Sequence, residues 1–147
     1  GGREKSIQML AIMFAMPGSP CFYYGTEVFL EGGKDPDCRR CMPWDEIEAG
    51  KCDADLNLFK QLIYLRKTND AMASMDMEFI HIPGKERLLC FIKKSDSNKL
   101  VLLANYTGAK ENISGYLDGT KVVFASGFNA QTRTLDADGV IIAEKSL

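Results

Sequence analysis

Apolar residues fill every position from Ile7 to Met16 except Gln8, and the run stops at Pro17-Gly18. A stretch that is apolar on nearly every face predicts a helix packed between other elements, and Pro-Gly ends it. Cys21-Phe22-Tyr23-Tyr24, rich in aromatics and closed by Gly25, predicts a short buried strand. Between residues 27 and 52 the periodicity is lost among Gly32-Gly33, Asp35-Pro36 and Pro43. That segment is expected to be a long functional loop, anchored by Phe29, Met42 and Trp44. Helical spacing returns at Leu56, Phe59, Leu62 and Ile63, with Asp53 or Asp55 as N-cap and an end near Asn69.

Beyond Met77 the period shortens. Five β runs are predicted, at residues 78–82, 88–93, 100–105, 121–125 and 140–144, separated by turn signals such as Pro83-Gly84, Asp118-Gly119 and Asp138-Gly139. This half reads as an antiparallel all-β sandwich, whereas helix, turn and strand in the first half are part of a βα repeat. The boundary is expected around residues 71–76, without a long linker.

Composition narrows the partners. With 46% hydrophobic and 26% charged residues the 147-residue chain has the make-up of a globular protein. Its 18 Lys+Arg against 20 Asp+Glu leave a net charge of -2, so no basic excess is available for phosphates or anionic lipid. Nucleic acid and membrane are not expected partners. The mixed-sign start Gly1-Gly2-Arg3-Glu4-Lys5 lacks the layout of a signal peptide and reads as the start of a fragment. Five irregularly spaced cysteines give no fully paired disulfide framework and favour a reducing, cytoplasmic setting. Cys38-Arg39-Arg40-Cys41 has zinc or redox spacing, yet only Cys52 and His81 remain to complete a zinc site, so no metal and no cofactor are expected. His81 reads as a solvent-facing residue.

Two motifs carry a resemblance. Pro17-Gly18-Ser19-Pro20 followed by Tyr23-Tyr24-Gly25-Thr26-Glu27 resembles the approach to the eighth barrel strand of alpha-amylase clan glycoside hydrolases. The run from Gly32 through Asp35-Pro36-Asp37-Cys38-Arg39-Arg40-Cys41 to Trp44-Asp45 resembles the neopullulanase, cyclomaltodextrinase and maltogenic amylase branch. The resemblance implies a mixed fold, with residues 1–72 as the end of a (β/α)8 barrel (seventh helix, eighth strand, substrate loop, eighth helix). Residues 73–147 would then be the C-terminal β-sandwich domain. A whole barrel takes about 250 residues, so the sequence holds only its last portion.

The family cleaves alpha-1,4 glucosidic bonds with retention, through an Asp nucleophile and a Glu acid/base whose carboxyl groups stand about 5 to 5.5 Å apart. None of the motifs that carry them occurs here. The expectation is the C-terminal portion of an enzyme acting on maltooligosaccharides, cyclodextrins or pullulan, with no catalytic residue of its own and inactive alone. The family places Asp35 and Arg39 against sugar hydroxyls, one accepting and one donating. The plain alternative is an exposed ion pair that steadies the loop. Glu27 is expected to hold neighbouring loops, Trp44 to pin the loop rather than stack on sugar, and Tyr23 and Tyr24 to be core. A different class, a non-catalytic carbohydrate-binding or interaction module built on the sandwich, would display exposed aromatics, and Phe91, Tyr106, Tyr116, Phe124 and Phe128 form no obvious cluster. A small thiol or zinc protein has only the paired cysteines in its favour.

Overall fold

The computed structural model, which describes residues 2–146, consists of a helical group, an irregular loop and a six-stranded antiparallel sheet. Helix α1, Arg3–Ala15, buries Ile7, Leu10, Ala11 and Phe14 at helical spacing. Its opposite face leaves Met9 56% exposed, so the helix that reads as apolar all round is covered on one side. After the loop and its short helix α2, Trp44–Glu48, comes α3, Asp53–Thr68. Asp53 and Asp55 open α3 and Arg66 and Lys67 close it, each matching the helix dipole. Cys52, not an aspartate, occupies its N-cap. Phe59 and Leu62 of α3 lie under α1, where the Phe14 and Phe59 rings meet edge to face at 5.4 Å. Helix α4, Asp70–Ala73, is capped by the Asn69 side chain, which accepts from the Met72 amide at 3.3 Å.

The sheet comprises β1 (Met77–Phe79), β2 (Leu88–Lys94), β3 (Asn98–Asn105), β4 (Glu111–Asn112), β5 (Lys121–Asn129) and β6 (Thr134–Ser146). Its order is β1-β2-β3-β6-β4, with β5 also on β6. The expected two-sheet sandwich is therefore one hydrogen-bonded sheet. The reason is β6, 13 residues long, which pairs with β3, β4 and β5 and joins all of them. Irregularities at Val122/Phe124 and Ser126/Phe128 let β5 follow it. Gly139 serves the same bend, since a Cβ there would stand 2.8 Å from the Asp136 carbonyl oxygen.

Strand alternation sorts the core. The cross-strand rows Leu89, Ala104, Val140 and Phe91, Leu102, Ile142 face the helices. The row Cys90, Leu103, Ile141 faces the other way, beneath Ile82, Ile113 and Leu117. A slip of one residue would exchange the faces, so burial on both sides fixes the register. Helices and sheet thus share one core: Ile7, Phe14 and Leu62 pack with Phe91, Leu102 and Ile142.

One expected element does not form. Residues 21–24 are irregular, and Phe22, Tyr23 and Tyr24 are 41%, 59% and 42% exposed, where a buried strand is predicted. A buried strand needs hydrogen-bonding neighbours for its amides and carbonyls. No strand runs beside this segment among the described residues.

Candidate functional site

Two ion-pair forks fold the loop between α1 and α2. Arg39 meets Asp35 with Nε to Oδ1 at 2.7 Å and Nη2 to Oδ2 at 3.3 Å. Arg40 meets Asp37 with Nε to Oδ1 at 2.9 Å and Nη2 to Oδ2 at 2.8 Å. Asp37 also accepts the Gly33 amide at 2.7 Å. The Arg40 fork, aided by that amide, holds the Asp37 carboxyl below the usual carboxylate range, and Asp37 in turn raises Arg40. The turn is tight enough to require glycine, because a Cβ at Gly32 would lie 2.7 Å from the Cys38 Cα. Tyr24 fastens the loop to the preceding segment by donating from Oη to the Arg40 carbonyl at 2.9 Å. Burial first, and then the neighbouring Tyr23, push the Tyr24 phenol up.

Between this loop and α1 lies an open cavity of about 1200 Å³. Met9, Leu10 and Met13 of α1 line it together with Phe22, Phe29, Asp37 and Arg40. Arg3 also lines it, hydrogen-bonded to Asp55 and lying 5.3 Å over the Phe29 ring.

Of the residues predicted from sequence, the structure brings Asp35 and Arg39 together. Their side chains are 62% and 66% exposed, and neither lines the cavity. Glu27 sits half-buried in the 3-10 turn Thr26–Val28. Trp44 opens α2 and is 62% exposed, outside both apolar clusters of the described residues. No hydrogen bond joins Glu27 or Trp44 to the Asp35–Arg39 pair among the described residues. The pair missed from sequence is Asp37–Arg40, whose signal was a second Asp and Arg three apart in the same loop. No helix among the described residues is long and apolar enough to cross a membrane.

No family model matches the chain. An intracellular maltogenic amylase from Bacillus subtilis is 38% identical over 113 residues, covering 76% of this chain and 19% of that protein. A cyclomaltodextrinase from a Bacillus species is 36% identical over 105 residues, covering 69% and 18% respectively. Among solved structures, the maltogenic amylase from S. marinus superposes with a TM-score of 0.75 and 26% identity, over 99% of this chain and 20% of that one. The chain spans about a fifth of the length of the curated relatives it matches. With this loop and this sheet, the chain belongs to the alpha-amylase family of glycoside hydrolases. Its relatives there are cyclomaltodextrinases, maltogenic amylases and neopullulanases, and its sheet matches the C-terminal β domain of amylase-family proteins.

Proposed function

We propose that this chain is the C-terminal portion of an alpha-glucan-degrading glycoside hydrolase. Residues 1–72 would close the catalytic barrel and residues 73–147 would form its C-terminal domain. The observation that carries this reading is the match along 99% of the chain to only 20% of one solved maltogenic amylase. The bare aromatics support it, since Phe22, Tyr23 and Tyr24 are exposed on a segment that would pair with neighbouring strands in a whole barrel.

In this reading the longer protein cleaves alpha-1,4 bonds with retention, using two carboxyl groups about 5 to 5.5 Å apart that lie on barrel strands outside this sequence. The chain itself supplies the substrate loop. Asp35 and Arg39 offer a sugar ring an acceptor and a planar donor fork already held in one geometry, and both are open to solvent. Glu27, half-buried in the turn before it, supports that loop. A cytoplasmic setting is inferred from a relative named an intracellular maltogenic amylase.

The test is an assay on maltooligosaccharides, cyclodextrins and pullulan, with the purified 147-residue chain and with a protein extended by its upstream coding sequence. The short chain should release no reducing sugar above buffer and the extended one should. Hydrolysis by the short chain, or none by the extended protein, would overturn the proposal.

A further inference from the structure

Two thiols stand on the loop that carries both ion-pair forks, and the reading above uses neither. Cys38 and Cys41 are free and exposed. Cys38 lies in the 3-10 turn Asp37–Arg39, and the backbone leaves that turn at Arg40, with φ −64° and ψ 153°. Side chains three apart eclipse in a 3-10 helix. Arg40 already has a helical φ, so rotation about its ψ alone would continue the turn and stack Cys41 over Cys38. Both thiols also act on one phenol, since Cys41 and Cys38 are among the groups that raise Tyr24. The same Tyr24 hydroxyl holds the Arg40 carbonyl at 2.9 Å. The residue that must turn is thus the one joining Tyr24, through its carbonyl, to Asp37, through its guanidinium.

We propose that Cys38 and Cys41 form a reversible disulfide on exposure to a small disulfide such as glutathione disulfide, and that closing it releases Tyr24 from the Arg40 carbonyl. One cysteine thiolate attacks a sulfur of glutathione disulfide, expelling one glutathione and leaving a mixed disulfide on the protein. The second thiolate attacks the protein sulfur of that intermediate and expels the other glutathione. The two protein thiols lose two protons and two electrons, and the glutathione disulfide gains them as two thiols. Turning Arg40 about ψ withdraws its carbonyl from Tyr24, while its guanidinium, on the near side of the rotating bond, stays on Asp37. Any consequence for a glucan rests on the function proposed above, whereas the thiol chemistry does not.

The experiment treats the 147-residue chain with glutathione disulfide and maps its peptides by mass. A Cys38–Cys41 cross-link should appear, with both thiols regenerated by dithiothreitol. Cys41→Ser should trap glutathione on Cys38 instead, and Cys21→Ser, at a third exposed thiol, should leave the cross-link unchanged. Oxidation removes two ionisable thiols from beside Tyr24, so the phenol, read as the difference between the chain and its Tyr24→Phe variant, should ionise at lower pH. Two thiols that stay free, separate glutathione on each, a cross-link to Cys21, or an unmoved Tyr24 titration would overturn the proposal. An extended protein inactive on glucans in both redox states would instead overturn the glucan reading and leave the disulfide result standing.

Discussion

Lys93 and Arg66 donate to the same carbonyl. Lys93 Nζ bonds the Met72 oxygen at 2.8 Å and the Ala15 oxygen at 2.6 Å, while Arg66 Nη1 bonds the Met72 oxygen at 3.1 Å. Lys93 comes from β2 and Arg66 from α3, so one oxygen in α4 ties helix, helix and sheet together. The last carbonyls of α1, which have no partner within the helix and sit at the negative end of its dipole, receive the same two cations.

The arrangement predicts a pH dependence. Burial, with the Arg66 charge adding to it, lowers the Lys93 ammonium from 10.5 to about 8. Below that value folded and unfolded chains both hold the proton and no slope arises. Between about 8 and 10.5 the unfolded chain holds more protons, so stability rises with pH, by up to about 3 kcal/mol over the window. Cys90 works in the opposite direction: burial pushes its thiol from 9.0 up to about 11, so stability falls as the unfolded thiol ionises between those values. The Lys93 contribution is read by comparing wild type with Lys93→Met in urea at roughly pH 7 and roughly pH 9. Wild type should gain on the variant at the higher pH, and parallel midpoints would refute the buried titration.

Arg66 should matter more to stability than any surface cation. Its guanidinium serves the carbonyls of Phe14, Met16 and Gly18, which cap α1 and fix the turn after it, and that of Met72 in α4. A hydrogen bond to a charged group contributes roughly 1.5–3 kcal/mol, and bonds sharing one guanidinium do not add fully. Arg66→Ala is expected to cost about 3 kcal/mol in chemical denaturation. Arg66→Lys should recover less than half, because an ammonium cannot span the same fork. A loss below about 1 kcal/mol in the alanine variant would place the residue with ordinary surface charges.

These cations also mark where the sequence stops being readable. Ile7, Leu10 and Phe14, and likewise Phe59 and Leu62, announce their helices because the period is local and the partners are within the chain. Leu100, Leu102 and Ile142 announce strands for the same reason. Lys93 looks like any outward strand lysine, and only two helix ends arriving overhead make it buried. Tyr23 and Tyr24 read as a strand because their composition suits one, whereas a strand exists only when another lies beside it. β6 runs from Thr134 to Ser146 where its apolar centre predicts only residues 140–144, since polar Thr134 and Asp136 give no alternation signal yet Thr134 pairs with Asn112 and Asn129. At the site, Asp35 and Arg39 are singled out by the resemblance of their loop to the neopullulanase branch and not by spacing, while their relation to the cavity, which Asp37 and Arg40 line instead, depends on how the loop turns at Gly32.

Limited proteolysis should follow the same contrast. Every residue from 31 to 41 is exposed, and Lys34, Arg39 and Arg40 lie among them. The strands beyond Met77 have their backbone paired, and cleavage there requires local opening. Trypsin is expected to cut the loop between residues 27 and 52 before any site in the sheet, as seen by mass mapping of the earliest fragments. Earlier cleavage within β2, β3 or β6 would mean that the sheet is the less stable part.

The last prediction concerns Asp35 and Arg39 in the extended enzyme. Two roles account for an exposed fork, and they differ in what each variant loses. If the pair only steadies the loop, screening by water keeps it small, and Asp35→Ala or Arg39→Ala should lose at most about 1 kcal/mol of stability with unchanged kinetics. If the pair holds sugar hydroxyls next to the cleaved bond, each variant forfeits a charge-assisted hydrogen bond in the transition state, roughly 1.5–3 kcal/mol or about tenfold to a hundredfold in kcat/KM. We expect the kinetic loss, largest on short maltooligosaccharides, which have few other contacts to position the ring, and little change in melting temperature. The double variant adds a further check, because removing both members of an isolated loop pair costs little more than removing one, whereas two separate bonds to substrate add. Near-parental kcat/KM in both single variants would return Asp35 and Arg39 to the role of a surface ion pair.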